Sequence, residues 1–154
     1  MSDAAPVPPM IAQAQGIQTI AEALVAGTEP GWSEVRYHMQ ATAAVTAAQK
    51  TVVRDGVETP VRTPREAGRA AEAMRAVMYQ PGRGTWFSMQ LTVTDTGKVS
   101  TDFNYEVDPG FDPPLNPIAF ALDQEKYPRD PEHQPEWLRE KIAEGEARRA
   151  TQPK

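Results

Sequence analysis

The chain has 154 residues, a formal net charge of −5, 24% charged and 40% hydrophobic residues, and no cysteine. That balance excludes a wholly disordered or membrane-spanning chain, and the missing thiols exclude a disulfide framework or a thiolate metal site. The length suits one domain with a real core, because two independent domains would each be marginal.

Residues 1–9 contain three prolines and no hydrophobic period, and read as a disordered lead-in to a domain spanning 10–147. From Met10 the pattern becomes helical: Ile17, Ile20, Ala21, Leu24 and Val25 share one face, with Gly27 placed as a C-terminal cap. No basic region precedes this segment, so no secretory signal is expected and the cytoplasm is the default compartment. Pro30 and Gly31 turn the chain into an extended region in which Val35, Tyr37 and Met39 alternate with polar residues. Strands are expected over Trp32 to Gln40 and Ala44 to Arg54, with helix as the alternative for the alanine-rich run Ala41 to Lys50, and a turn at Asp55-Gly56.

Thr63-Pro64-Arg65-Glu66 predicts a helix start, with Thr63 as N-cap, Pro64 in the first position and Glu66 closing a capping box. An apolar stripe from Ala67 to Met78 follows and ends at Pro81-Gly82. Phe87, Met89, Leu91 and Val93 then alternate with polar residues, as do Val99, Phe103 and Tyr105 beyond Asp95-Thr96-Gly97. A three-residue loop with a left-handed Gly97 and a G1 bulge sets Val93 opposite Val99, Leu91 opposite Thr101, Met89 opposite Phe103 and Phe87 opposite Tyr105. Ser88, Gln90, Thr92, Ser100, Asp102 and Asn104 take the wet face. Trp86 points there as well, either as an exposed anchor for a partner protein or as a residue covered by a helix or the proline-rich loop.

Four prolines stiffen the loop after Tyr105, and Asn116-Pro117 caps a short helix reaching Lys126. A last helix surrounds Trp137, Leu138 and Ile142, and the tail over 148–154 is expected to fray. The predicted fold is α+β, an antiparallel sheet of about four strands from two strand pairs packed on helices in the order α-β-β-α-β-β-α-α.

Chemistry is sparse. His38 and His133 are the only histidines and lack metal-binding spacing. Asp102, Glu106, Asp108 and Asp112 lie close in sequence, yet counting an EF-hand from Asp102 puts Val107 where glycine belongs and Pro113 where the bidentate carboxylate belongs. Gly82-Arg83-Gly84 precedes a strand rather than opening a helix, so it is no phosphate cradle. No catalytic residue, cofactor or metal is assigned. Between Val99 and Glu136 nine acidic residues face two basic ones, a local net charge of −7, which disfavours nucleic acid and would attract a basic protein surface. A partner-binding surface is therefore expected at Trp86, Asp102, Glu106, Asp108 and Asp112. The competing reading is a small ligand-binding or enzymatic domain with a pocket between sheet and helices, using His38 with Asp102 or Glu106.

The series Trp86-Phe87-x-Met89-x-Leu91-x-Val93, then Gly97-Lys98, then Asp102-Phe103-Asn104-Tyr105-Glu106 resembles the strand pair of the YezG-like antitoxin or immunity-protein family. The leading helix, the strand after Trp32, Tyr127-Pro128-Arg129 and Pro135-Glu136-Trp137-Leu138 resemble its members in the same order. The resemblance spans about Gly16 to Glu144. It implies an α+β protein that binds and neutralises a cognate polymorphic toxin, often a nuclease, inside the producing cell.

Overall fold

A computed structural model describes residues 8–152, so most of the expected lead-in lies outside the described residues. The elements are α1 (Pro9–Ala26), β1 (Glu34–Ala41), β2 (Thr46–Arg54), β3 (Val57–Val61), α2 (Arg65–Val77), β4 (Ser88–Thr94), β5 (Val99–Asn104), α3 (Ile118–Lys126), a 3-10 turn (Pro131–His133) and α4 (Glu136–Thr151). The strands form one antiparallel sheet in the order β3-β2-β1-β4-β5, an α+β fold. A meander runs outward from the central β1, and α2 then carries the chain back to β1's other side.

The sheet has five strands where about four were expected. The additional one is β3, which follows Asp55 and Gly56 at φ 50° and 75°, the paired positive values of a tight hairpin turn. Its sequence, Val-Glu-Thr-Pro-Val, is exposed along its length, and Pro60 is tolerated because β3 is an edge. The alanine-rich run is strand from Thr46 onward, with Ala47 and Ala48 opposite Gln40 and Met39 of β1.

The second hairpin has the expected register: Val93 faces Val99, Leu91 faces Thr101 and Met89 faces Phe103. Gly97 has φ +85°, and its N–H donates to the Thr94 carbonyl at 2.9 Å. The alternation stops at Ser88. Phe87 is bent out of the strand and leaves the face it was expected to share with Tyr105, while Trp86 takes the core side.

α1 and α2 cover the sheet's inner face. Val35, Tyr37 and Met39 of β1 and Met89, Leu91 and Val93 of β4 meet Ile20, Leu24, Ala67, Ala71 and Met74 there. Alanine and glycine let the two helices approach closely, and a Cβ on Gly16 would stand 3.1 Å from the Met74 sulfur. The capping box does not form. Pro64 is itself extended, at φ −73° and ψ 142°, so the helix starts one residue later than expected; Pro64 occupies the N-cap without a side-chain cap and Thr63 stands one residue too early to serve.

A second cluster joins Phe87 to Phe120, Leu138 and Ile142, with Trp137 edge-on to Phe120 at 5.9 Å. α3 and α4 meet at Gly145, where an added Cβ would lie 2.3 Å from the Pro117 carbonyl oxygen. Gly145→Ala is therefore expected to lower stability by about 1–2 kcal/mol in urea unfolding, because overpacking outweighs the ~1 kcal/mol of improved helix propensity. α4 runs through the segment expected to fray as far as Thr151, with Arg148 paired to Glu144 and Arg149 to Glu125.

Asp123 belongs to the acidic stretch in sequence but not to its surface. Its carboxylate receives Arg75 Nη1 and Nη2 at 2.7 and 3.0 Å and the Ala43 N–H at 2.8 Å. Arg75 Nε donates to the Trp86 carbonyl at 2.7 Å. One buried pair thus ties together α2, α3, the β1–β2 loop and the chain entering β4.

Candidate partner-binding surface and inner cleft

Alternation puts Glu34, Arg36, His38 and Gln40 of β1 on the sheet's outer face, and the register continues each row across β4 to β5. One row reads Gln40, Ser88, Asn104 and the next reads His38, Gln90, Asp102. The loop after Tyr105 crosses the first of these rows. Asn104 Oδ1 accepts the N–H groups of Glu106 and Val107 at 3.2 and 2.9 Å, and its Nδ2 donates to Ser88 Oγ at 3.2 Å. Gln40 Nε2 donates to the Pro109 carbonyl, Trp137 Nε1 donates to the Glu106 carbonyl at 2.8 Å, and Asp108 Oδ1 accepts the Gly110 N–H at 3.0 Å.

The hydrogen bonds that reach this loop from Gln40, Asn104 and Trp137 go to its main-chain groups, and apart from the Asp108 contact to Gly110 its carboxylates are left facing water. Asp102, Glu106, Asp108 and Asp112 are all exposed, with Val107, 68% exposed, among them. Arg129 approaches Glu106 to only 3.9 Å. Its guanidinium is committed instead to the carbonyls of Thr85, Tyr105 and His133 at 2.9, 2.8 and 3.1 Å. Burial lowers the Arg129 pKa while Glu106 and Asp123 raise it. The acidic groups therefore rim one end of a sheet face whose remaining side chains, among them Gln90, Thr92, His38 and Arg36, are polar.

Trp86 is not part of that surface. It is 0% exposed, lies 5.8 Å from the Phe103 ring and belongs to the inner core. The bend at Phe87 shifts the side-chain phase by one residue, which turns an expected anchor into a core residue. His38 also fails to meet its expected partners: Asp102 sits two strands away in the same row, about 10 Å by strand spacing. His133 lies in the 3-10 turn beside Glu132. Among the described residues no group of three or more histidine and carboxylate side chains is placed to hold a metal ion, and no helix is long and apolar enough to cross a membrane.

A pocket between sheet and helix does exist, but on the inner face and built from other residues. α1 and α2 leave part of β2 uncovered, and the small side chains Thr46, Ala48 and Gly68 open a cleft of about 750 Å³ under the start of α2. Lys50 falls on the inward register opposite Tyr37 and is only 2% exposed. Its ammonium donates to the Leu24 carbonyl at 3.0 Å, a cation at the negative end of α1, and burial lowers its pKa. Tyr37 is 0% exposed and its hydroxyl has no hydrogen-bond partner.

Burial, with the Glu72 charge second, pushes the Tyr37 phenol from 10.0 up to about 12. A native pKa above the unfolded one favours the fold fully below pH 10, and this contribution is lost as pH rises from 10.0 toward about 12. Tyr37→Phe removes an orphan hydroxyl and is expected to raise the unfolding free energy by about 1 kcal/mol at neutral pH. Urea unfolding near pH 9 and pH 11 is expected to show a smaller alkaline loss in the variant, with Lys50 common to both proteins. Compared with known proteins, the chain matches no family model and no curated protein at a significant level.

Proposed function

We propose that the protein is an immunity protein or antitoxin of YezG-like type that binds and neutralises a cognate polymorphic toxin domain in the cytoplasm of the producing cell. The observation that carries the reading is the set of exposed carboxylates, Asp102 on β5 and Glu106, Asp108 and Asp112 on the loop anchored beside an open polar sheet face. A pinned loop loses little entropy on docking, and its charge suits a basic partner such as a nuclease surface. Val107 offers the apolar contact that Trp86 does not. The resemblance of the Trp86 to Glu106 pattern supports the same reading independently of charge.

The test is the affinity for a candidate cognate toxin domain, sought among the products of the neighbouring reading frames. Reversing both Asp108 and Asp112 to lysine is expected to weaken binding about tenfold or more at low salt, with a smaller difference at high salt. Both substitutions are at exposed positions, so circular dichroism should be unchanged. Equal affinity in the variant, and no response to salt, would rule out the acidic rim as the contact.

A further inference from the structure

The inner cleft gathers hydrogen-bond donors that the fold does not use. Arg62, Arg65 and Arg69 line it, and among the described residues none of them pairs with a carboxylate. The first turn of the 13-residue α2 opens at the same place with no side-chain cap; the Ala67 N–H donates to the Pro64 carbonyl at 3.2 Å, while Arg65 and Glu66, at the positive end of the helix, line the cleft. Beneath them lies the Tyr37 hydroxyl, buried, unpartnered and 4.0 Å from where a Cβ on Gly68 would stand. Lys50, with one of its three ammonium protons on the Leu24 carbonyl, completes the floor. Glu66 and Glu72 also line the cleft, leaving two more positive than negative side chains there in a chain of net charge −5.

We propose that this cleft binds a phosphate-bearing small molecule, its oxyanion held by Arg62, Arg65 and Arg69 at the N-terminus of α2 with Tyr37 and Lys50 donating from below. Guanidinium forks and free helix N–H groups match a multiply charged tetrahedral oxyanion. A cleft of about 750 Å³ has room for more than the anion alone. Arg62, Arg65 and Arg69 stand exposed at the mouth of this one cleft, above the buried Lys50 and Tyr37, and Glu66 and Glu72 interrupt the positive charge, a compact cluster that suits a small molecule and not an extended nucleic-acid backbone. The site lies on the opposite sheet face from the acidic rim and is independent of the toxin reading.

Pyrophosphate is a suitable probe, titrated calorimetrically and by amide NMR at constant ionic strength, with malonate as the dicarboxylate arm. Saturable binding of pyrophosphate with a dissociation constant below about 1 mM is expected, with shifts centred on residues 62–69. Arg65→Ala with Arg69→Ala is expected to weaken it about tenfold or more, and Tyr37→Phe severalfold without loss of stability. Arg36→Ala, on the outer face, should leave it unchanged. No saturable binding, malonate binding as tightly as pyrophosphate, or equal weakening by Arg36→Ala would each overturn the assignment.

Discussion

Asp123→Ala is expected to lower the unfolding free energy by about 3–5 kcal/mol, a large share of the roughly 5–15 kcal/mol that holds a domain of this size together. Arg75 is 3% exposed, and without Asp123 its charge keeps only the Trp86 carbonyl and the surrounding aromatic rings as company. The Ala43 N–H loses its acceptor in the same step. The penalty comes from the stranded charge rather than from the worth of the pair, so Arg75→Met combined with Asp123→Leu is expected to recover most of the loss. The half-exposed Arg36–Glu34 pair is the contrast, and Glu34→Ala should cost no more than about 1 kcal/mol. Urea unfolding of the variants checks this, and an Asp123→Ala cost below about 1 kcal/mol would mean that the buried pair does not organise the four segments it touches.

Gly84→Ala is expected to cost about 3 kcal/mol, of which about 1 kcal/mol is backbone strain at positive φ and the rest is displacement of Arg129. The added Cβ would stand 2.3 Å from Arg129 Nε and 2.6 Å from its Cγ. Arg129 cannot yield cheaply. It is 4% exposed, lies 4.7 Å above the Phe87 ring, and satisfies three carbonyls that no other side chain reaches among the described residues. Gly97→Ala isolates the strain term, because φ there is +85° but nothing lies within 4 Å of the added atom. Unfolding measurements should place Gly84→Ala well below Gly97→Ala. Hydrogen exchange should show the loss around residues 127–134, where Arg129 pins the chain to the hairpin.

The second hairpin was legible because two independent constraints agreed on it: period-two alternation from Met89 to Val93, and a left-handed glycine that only one loop length can place. The helices were legible from their stripes and from Asn116, whose side chain does accept the Ile118 N–H at 3.0 Å. β3 was hidden because Pro60 and uniform exposure remove both signals of a strand, alternation and continuous pairing. Trp86 was misplaced because alternation was extended two residues past the strand's end, across a bend that no residue type announces. Arg75 and Asp123 are 48 positions apart, and each looks like an ordinary helix-surface charge in its own segment.

The cleft did leave a trace. Once β2 is set against β1, Lys50 falls on the face that Tyr37 buries, and a lysine in a core register needs a partner. The exposed carboxylates of the loop were read directly from the sequence. Their orientation depends on Asn104, Gln40 and Trp137, residues from three other elements whose hydrogen bonds reach only main-chain groups of the loop.

The most direct measurement of the proposed function is growth of cells expressing a candidate toxin domain, chosen from the neighbouring reading frames and toxic on its own, with and without co-expression of the protein. Wild-type protein is expected to restore growth, and the Asp108→Lys, Asp112→Lys double variant to restore it less while remaining equally abundant and folded. Growth arrest that persists in the presence of abundant, folded wild-type protein would contradict the immunity reading.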